Sequence, residues 1–272
     1  ETIVKSKNDG DEEQQLESLN ETLALSQSIL DFKDEGNRNV GYYYESALLK
    51  LISIIDGANA AIENNDQSVH TYGEWATLID EEVSKVIANG DNNRVKIQSG
   101  NVYKFYSVNF PQYTMYYNNG NIICKSGSDS PKMRNFTLVS TGKENEYYIS
   151  TNGRYVNYLQ RDARVTATTT KKSEAVKLTA GESNFAEYYL HKSDDNTAAI
   201  HCSYEYKVVG WNYDDIKSKW RLVAVTLNKE NADVSKLKEL INEANSIYTT
   251  VVDTVTNGVI SFNEGVEVIS ET

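Results

Sequence analysis

Residues 147–159 read YYISTNGRYVNYL, and this stretch decides the fold. Apolar and polar residues alternate around Asn152-Gly153, a dipeptide that favours the tight turn of a β-hairpin. Its opening segment, Tyr147-Tyr148-Ile149, has counterparts at Tyr103-Lys104-Phe105 and Tyr188-Tyr189-Leu190, which begin 44 residues before it and 41 residues after it. Similar segments at a near-constant spacing predict an internal repeat of three units.

Each repeat closes with a second kind of strand. The closing segments are Phe136-Thr137-Leu138-Val139, Val176-Lys177-Leu178-Thr179 and Trp220-Arg221-Leu222-Val223, whose starts are 40 and 44 residues apart. Two shorter strands between opening and closing strands give four strands in each unit of about 42 residues. One such unit leaves its edges exposed, whereas three units around an axis bury them. The sequence predicts a β-trefoil, a six-stranded barrel closed by three hairpins, with Phe136, Val176 and Trp220 at equivalent core positions.

The repeats resemble the ricin-B-like β-trefoils of secreted proteins from gut Bacteroidetes. The resemblance is carried by Tyr147-Tyr148-Ile149, Gly153-Arg154-Tyr155-Val156 and Ser218-Lys219-Trp220-Arg221-Leu222, within about half of the chain. It implies a sugar-binding module. The Gln-x-Trp motif of ricin-type lectins is absent from all three repeats, and only the third keeps the tryptophan, at Trp220.

A sugar site needs an aromatic ring beneath the apolar face of the sugar and polar side chains that bind its hydroxyl groups. In lectins of the resembled family this pocket lies between the second and third strands of a repeat. The ligand-binding residues predicted here are Tyr116, Asn118, Arg154, Tyr155, Asn157, Tyr158, Trp211 and Asn212. The second repeat also gathers cationic side chains, which fit either an anionic glycan or a face that docks on the acidic helices or is simply solvated: Arg154, Arg161, Arg164, Lys171, Lys172 and Lys177.

The charge of the chain is unevenly distributed. The formal net charge is -12, which argues against a nucleic-acid partner. Residues 1–92 hold 6 basic and 19 acidic side chains, residues 93–227 hold 18 and 12, and residues 228–272 hold 3 and 8. This asymmetry predicts separate units, with acidic helices packed beside a basic trefoil. No apolar stretch is long enough to predict a membrane span.

The acidic flanks show helical periodicity. Apolar stripes predict helices over 11–35 and 42–62, and Thr71-Tyr72-Gly73-Glu74 is a capping box that starts a third helix, ending near Asn89-Gly90. A fourth stripe predicts a helix over 234–256. Its pattern, Leu237-x-x-Leu240-Ile241-x-x-Ala244-x-x-Ile247, resembles the FIVAR-type helical repeats between modules of secreted bacterial polysaccharide-degrading enzymes.

These patterns predict an α+β multidomain chain. Residues 1–92 form a helical bundle, residues 93–227 the β-trefoil, and residues 228–272 a helical segment that packs on the bundle or leads to a next domain. The chain starts without methionine and ends at Ser270-Glu271-Thr272, so we expect a mature or excised fragment.

Catalytic signatures are missing from the sequence. The three histidines are His70, His191 and His201, and no nucleophile, zinc-protease, phosphate-loop or EF-hand motif is present. The adjacent acids Asp194-Asp195 and Asp214-Asp215 fit solvated turns. We therefore expect no enzyme, no cofactor and no metal. Cys124 and Cys202 form one disulfide or remain two buried thiols.

Three functions fit this sequence. The first is a non-catalytic glycan-binding accessory module of a larger secreted or cell-surface protein, with other domains of the same polypeptide as neighbours. The second is a structural or protein–protein interaction module whose trefoil has lost sugar binding. The third is a protease inhibitor acting through an exposed trefoil loop, and no loop carries an obvious signature for it.

Overall fold

The fold is taken from a computed structural model, which describes residues 9–195, 197–204 and 206–226. The predicted C-terminal helix over 234–256 and its FIVAR-like pattern lie outside these residues. The domain boundaries predicted at 92/93 and 227/228 stay predictions.

The N-terminal part is a helical bundle. Its helices are α1 (Asp9–Leu30), α2 (Glu45–Asn64), α3 (Tyr72–Ala88) and the short α4 (Gly90–Asn93). The predicted capping box of α3 is confirmed, because Thr71 Oγ1 accepts the Glu74 N–H (3.2 Å) and the Glu74 carboxylate accepts the Thr71 N–H (2.8 Å). The apolar stripes meet in one cluster, whose most buried members are Leu19, Leu48, Leu51, Ala58, Tyr72 and Ile79.

The first helix ends earlier than its apolar stripe predicts. It stops at Leu30 rather than continuing to residue 35, and β1 (Lys33–Asp34) then pairs in parallel with β2 (Tyr43–Tyr44). The buried Asp34 carboxylate accepts the backbone N–H groups of Gly36 (3.2 Å) and Asn39 (2.5 Å). A carboxylate that satisfies several backbone donors stabilises this loop at the expense of another helical turn.

The C-terminal part of the described chain is a closed β-barrel. Its strands are β3 (Val102–Ser107), β4 (Thr114–Asn118), β5 (Asn121–Lys125), β6 (Phe136–Ser140), β7 (Glu146–Thr151), β8 (Arg154–Tyr155), β9 (Leu178–Asn184), β10 (Glu187–Lys192), β11 (Ala199–Tyr204), β12 (Lys207–Trp211) and β13 (Trp220–Thr226). Antiparallel pairing runs β3–β6–β7–β9–β10–β13 and returns from β13 to β3, so the six-stranded ring has no open edge.

Hairpins attach to this ring as a β-trefoil requires. Strands β4–β5 and β11–β12 form two regular hairpins. The hairpin of the second repeat is irregular, since β8 has two residues and residues 155–169 pair with one another only through the bridges Tyr155–Thr169 and Tyr158–Thr166. Further bridges join Thr166 to β5, and Arg161 and Arg164 to β12. A short 3₁₀ turn precedes each closing strand, at Pro131–Arg134, Lys172–Glu174 and Ile216–Ser218. The pairing fits the predicted trefoil, although the regular third strand expected in repeat two is not formed.

The barrel core repeats around the ring. Phe105, Ile149 and Leu190 of the opening strands are fully buried. Each closing strand pairs with an opening strand: Phe136 lies opposite Tyr103, Leu178 opposite Tyr147 and Trp220 opposite Tyr188. The equivalent core residues are therefore Phe136, Leu178 and Trp220, all 0% exposed. The prediction that placed Val176 in this set was wrong by two residues. Alternate residues of a strand share one face, so the sequence pattern does not distinguish a register centred on Val176 from one centred on Leu178.

The two cysteines lie in neighbouring hairpins of the barrel. Cys124 on β5 and Cys202 on β11 are paired as a disulfide, with Cα atoms 6.2 Å apart. This pairing selects one of the two alternatives that the sequence left open, and it links the first repeat to the third.

The bundle and the barrel meet through the turn between β9 and β10. Phe185 in this turn packs on Phe32, with ring centroids 4.5 Å apart, and on Tyr43 (5.3 Å). Arg94 donates to both oxygens of Glu182 (2.6 and 2.5 Å) and lies over the Phe185 ring. The junction thus combines an aromatic contact, one bidentate ion pair and backbone hydrogen bonds of the α1–α2 loop to β13, in which Val40 donates to Leu222 (2.9 Å) and Ala224 donates to Arg38 (2.8 Å).

Candidate functional site

The predicted residues of the first repeat lie apart from the others. Tyr116 on β4 is half-buried, and its ring centroid is 5.1 Å from Lys125 Nζ and 5.2 Å from Arg134 Cζ. Asn118 is exposed at the end of β4, opposite Asn121. Within the described residues, neither Tyr116 nor Asn118 shares a hydrogen bond, ion pair or ring contact with another predicted site residue.

Three predicted residues of the second repeat support its irregular hairpin. Asn157 Oδ1 accepts the Thr168 N–H (2.9 Å) and the Thr168 hydroxyl (3.1 Å), and Arg154 donates to the Thr168 carbonyl. The half-buried Tyr155 donates its N–H to the Thr169 carbonyl (2.8 Å). These side chains and backbone groups hold the loop that replaces a regular strand, so the Asn157 oxygen is already occupied within the fold.

Two other predicted residues, Trp211 and Asn212 of the third repeat, contact Arg161 of the second repeat. Arg161 Cζ lies 4.7 Å from the Trp211 ring centroid, and Arg161 Nη1 donates to Asn212 Oδ1 (2.9 Å). Tyr158, with 41% of its surface exposed, donates its hydroxyl to Gln160 Oε1 (2.9 Å). We call Tyr158, Gln160, Arg161, Trp211 and Asn212 the border site. Arg161 and Gln160 were not predicted as ligands, although Arg161 was counted in the basic group.

The backbone of the border site is held by a close approach of two loops. A Cβ atom at Gly210 would lie 2.2 Å from the Gln160 carbonyl oxygen, so only glycine fits there. Gly210 accepts the Asp162 N–H and donates to the Ala163 carbonyl, both at 2.9 Å. Trp211, the last residue of β12, therefore lies at a strand end that is fixed against the loop carrying Arg161.

A buried histidine supports the same segment from below. His201 is 6% exposed, and its Nδ1 is 3.0 Å from Ser218 Oγ, which in turn donates to the Asn212 carbonyl (2.6 Å). Because the serine proton is used on Asn212, the network assigns Nδ1 of His201 as the donor to the hydroxyl oxygen. Burial lowers the pKa of the His201 imidazole, which favours this neutral form. The histidine thus holds the backbone of Asn212.

A second group of aromatic rings lies beside the segment that carries Asn212, and it was not predicted from the sequence. The ring centroids of Tyr189 and Tyr213 are 5.0 Å apart, and His191 is 5.7 Å from Tyr189. Lys219 Nζ is 4.7 Å from the Tyr189 centroid and donates to the Tyr213 carbonyl. Lys219 is 6% exposed, and burial lowers its pKa. The alternation that places Leu190 in the core, and so Tyr189 and His191 outside, was the signal available for this group.

The acidic pairs act as turn residues, as predicted. Asp195 Oδ1 accepts the Thr197 N–H and Asp215 Oδ1 accepts the Lys217 N–H, both at 2.9 Å. In the part of the chain that the structure describes, no group of three or more His, Cys, Asp or Glu side chains could hold a metal ion. None of the helices in the described residues is long and apolar enough to cross a membrane.

No protein-family model and no curated protein matches this chain. Among solved structures it is similar to the designed threefold-symmetric protein ThreeFoil, with a TM-score of 0.40 and 18% identity over 45% of this chain and 97% of ThreeFoil. It is also similar to the Polyporus squamosus lectin bound to a human-type influenza-binding epitope (TM-score 0.39, 13% identity, 47% of this chain and 50% of the lectin).

A third similar structure is an enzyme. This is the endo-β-galactosidase from Clostridium perfringens, with a TM-score of 0.41 and 16% identity over 50% of this chain and 34% of the enzyme. Scores at this level carry no argument about activity or ligand. The trefoil topology of this chain therefore rests on its own strand pairing.

Proposed function

We propose that this chain is a non-catalytic carbohydrate-binding module and that the border site holds the glycan. The observation that supports this most directly is the contact of Arg161 with both Trp211 and Asn212. Tyr158, whose hydroxyl donates to Gln160 in the same loop, adds a ring that is 41% exposed. The two aromatic side chains offer faces for a sugar ring, and the amide and guanidinium groups bind hydroxyls. Hydrogen bonds to a charged group such as Arg161 contribute about 1.5–3 kcal/mol each.

Charge favours an anionic glycan at this site. Among the described residues, the acidic partner of Arg161 is Asp162, at 4.0 Å, and that carboxylate is 72% exposed. A weak, solvated ion pair leaves the guanidinium able to bind a carboxylate or sulfate of the ligand. We therefore propose that acidic glycans bind the border site more tightly than neutral ones of the same length.

We further propose that the module is secreted or displayed at a cell surface, as an accessory part of a larger polypeptide. The disulfide between Cys124 and Cys202 supports this, because structural disulfides persist in oxidising compartments and are rare in the cytosol. The ricin-B-like and FIVAR-like resemblances also motivate this proposal, because both imply a module that lies beside other domains of the same polypeptide.

A second candidate function is a rigid structural or protein-interaction module. The contact of Phe185 with Phe32 and the bidentate pair of Arg94 with Glu182 favour it, since they join bundle and barrel firmly. Cross-linking and co-purification from the native source would recover a protein partner for such a module, and the same preparation would bind no glycan.

A glycan array tests the primary proposal. Wild type should bind a subset of acidic glycans, and Tyr158→Ala should reduce those signals at least about tenfold while the far-ultraviolet circular dichroism stays unchanged. Tyr204→Ala is the matched control, because Tyr204 is an exposed tyrosine of the neighbouring hairpin and is not part of the border site. An array without signals, or equal signals from Tyr158→Ala, would count against carbohydrate binding there.

A further inference from the structure

A cleft separate from the border site lies between the barrel wall and the loop that joins α1 to α2. Phe105 and Leu222 face the core, so their neighbours Tyr106 and Arg221 face outward, and these two residues are directly opposite each other in the β3–β13 pair. The loop adds Asn39 and Tyr42 on one side, and Pro111 closes another. The volume of this junction cleft is about 190 Å³.

Arg221 has binding capacity that the fold does not use. Its side chain is 50% exposed, and Nη2 is 3.2 Å from Glu187 Oε1, longer than the 2.7–2.9 Å usual for a charge-assisted hydrogen bond. Within the described residues, the remaining guanidinium N–H groups and the side-chain amide of Asn39 make no hydrogen bond. Two polar groups that face one cleft are thus available to a ligand.

The size of the cleft limits what it can hold. Pockets for drug-sized ligands have volumes of about 300–1,000 Å³, so a cleft of about 190 Å³ accommodates one small ring rather than a chain of sugars. Tyr42, Tyr106 and Pro111 supply apolar walls for such a ring. The planar fork of Arg221 matches a carboxylate better than any neutral group.

We infer that the junction cleft binds a single carboxylate-bearing sugar residue, of the uronic acid class, with its carboxylate on Arg221 and its ring between Tyr42 and Tyr106. This inference rests on the proposed carbohydrate binding but concerns a different site. The cleft is built partly by the N-terminal helical segment, so its binding depends on Asn39 and Tyr42 as well as on the trefoil.

Glu187 competes with the ligand for Arg221. Its side chain is 12% exposed and also accepts from the Asn184 amide (3.1 Å), so its carboxylate is held beside Arg221 by two contacts. Replacing this carboxylate with an amide removes the competing charge and keeps the shape. Glu187→Gln and Arg221→Gln therefore change the affinity for an acidic sugar in opposite directions.

The test is a titration of the full chain, followed by backbone amide chemical shifts. Wild type is titrated with D-glucuronic acid, with methyl glucoside as the neutral ring and with acetate as the carboxylate alone. D-glucuronic acid should shift the amides of Asn39 and Arg221 saturably, and the other two should bind at least about tenfold more weakly. Arg221→Gln should lose at least about tenfold in affinity and Glu187→Gln should gain several-fold.

Lys132→Gln is the charge-matched control, because it removes one exposed positive charge outside the cleft. It should bind D-glucuronic acid as wild type does. Equal binding by Arg221→Gln and wild type, or no binding by wild type, would overturn the inference. Trp211→Ala separates the two sites, because it changes the border site and leaves the junction cleft intact, so this variant should keep the D-glucuronic acid shifts of Asn39 and Arg221. If only the border-site proposal is wrong, these shifts are seen without array signals that depend on the border site. If only the junction-cleft proposal is wrong, the array signals are seen without these shifts.

Discussion

Trp220 gives the sharpest test of the repeated barrel core. Its side chain is fully buried, its ring packs edge-on against Phe105 at 6.5 Å, and Nε1 donates to the Ile200 carbonyl at 2.8 Å. The equivalent residues Phe136 and Leu178 lack this donor, so the hydrogen bond belongs to the third repeat. Its partner Ile200 lies on β11, which ties the closing strand to the hairpin of the same repeat.

Two substitutions separate the packing and hydrogen-bond contributions. Trp220→Ala removes the whole ring and should lower the free energy of unfolding by about 4–6 kcal/mol, which combines about 3–5 kcal/mol for the cavity with about 1 kcal/mol or more for the unpaired carbonyl. Trp220→Phe keeps a ring of the size found at Phe136, and should cost about 2–3 kcal/mol, since it still removes the donor.

The matched control is Trp75→Phe in the bundle. Trp75 Nε1 is buried and has no hydrogen-bond partner among the described residues, so its replacement should cost about 1 kcal/mol less than that of Trp220. Urea unfolding followed by far-ultraviolet circular dichroism measures all three variants without relying on tryptophan fluorescence. If Trp220→Phe destabilises the chain no more than Trp75→Phe, the hydrogen bond from Trp220 to Ile200 does not contribute the expected stabilisation of about 1 kcal/mol.

Three further predictions concern stability. Thr71→Ala should lower the free energy of unfolding by about 1 kcal/mol through loss of the α3 capping box, and Thr71→Ser should restore it, as urea unfolding would show. The pKa of His201 is lowered by burial, so the unfolded chain binds a proton more readily, and stability should fall as the pH drops below about 6.5. That pH dependence should weaken in His201→Gln, whereas an unchanged profile in thermal melts would contradict it. Cys124→Ser with Cys202→Ser should cost about 4.5 kcal/mol in the chain-entropy account, because the disulfide spans 78 residues, and equal melting temperatures with and without reductant would argue against it.

The repeat could be read from the sequence because alternation and turn residues are local signals. YYISTNGRYVNYL predicts a hairpin from its own residues, and three such segments predict a closed ring. The register of the second closing strand could not be read in this way, since Val176 and Leu178 share a face and only the pairing of Leu178 with Tyr147 distinguishes them. The end of α1 was missed for a similar reason, because the buried Asp34 carboxylate acts on backbone groups further along the chain.

The candidate sites depend on contacts between distant segments. Trp211 and Asn212 were predicted from their residue types, but their partner Arg161 lies in another repeat and reaches them through the close approach at Gly210. The junction cleft requires a loop of the helical part to lie over the barrel, and the hydrophobic periodicity of a sequence does not predict a contact between such distant segments. Residue types therefore predict a binding chemistry, whereas the tertiary fold selects which residues act together.

The central claim is that a glycan binds at the border site. Isothermal titration with the strongest array ligand should give an affinity that Trp211→Ala lowers at least about tenfold, because the substitution removes the aromatic face and the support of Arg161 together. Tyr204→Ala should bind as wild type does. If Trp211→Ala is folded and binds that ligand as tightly as wild type, the border site is not where the glycan binds.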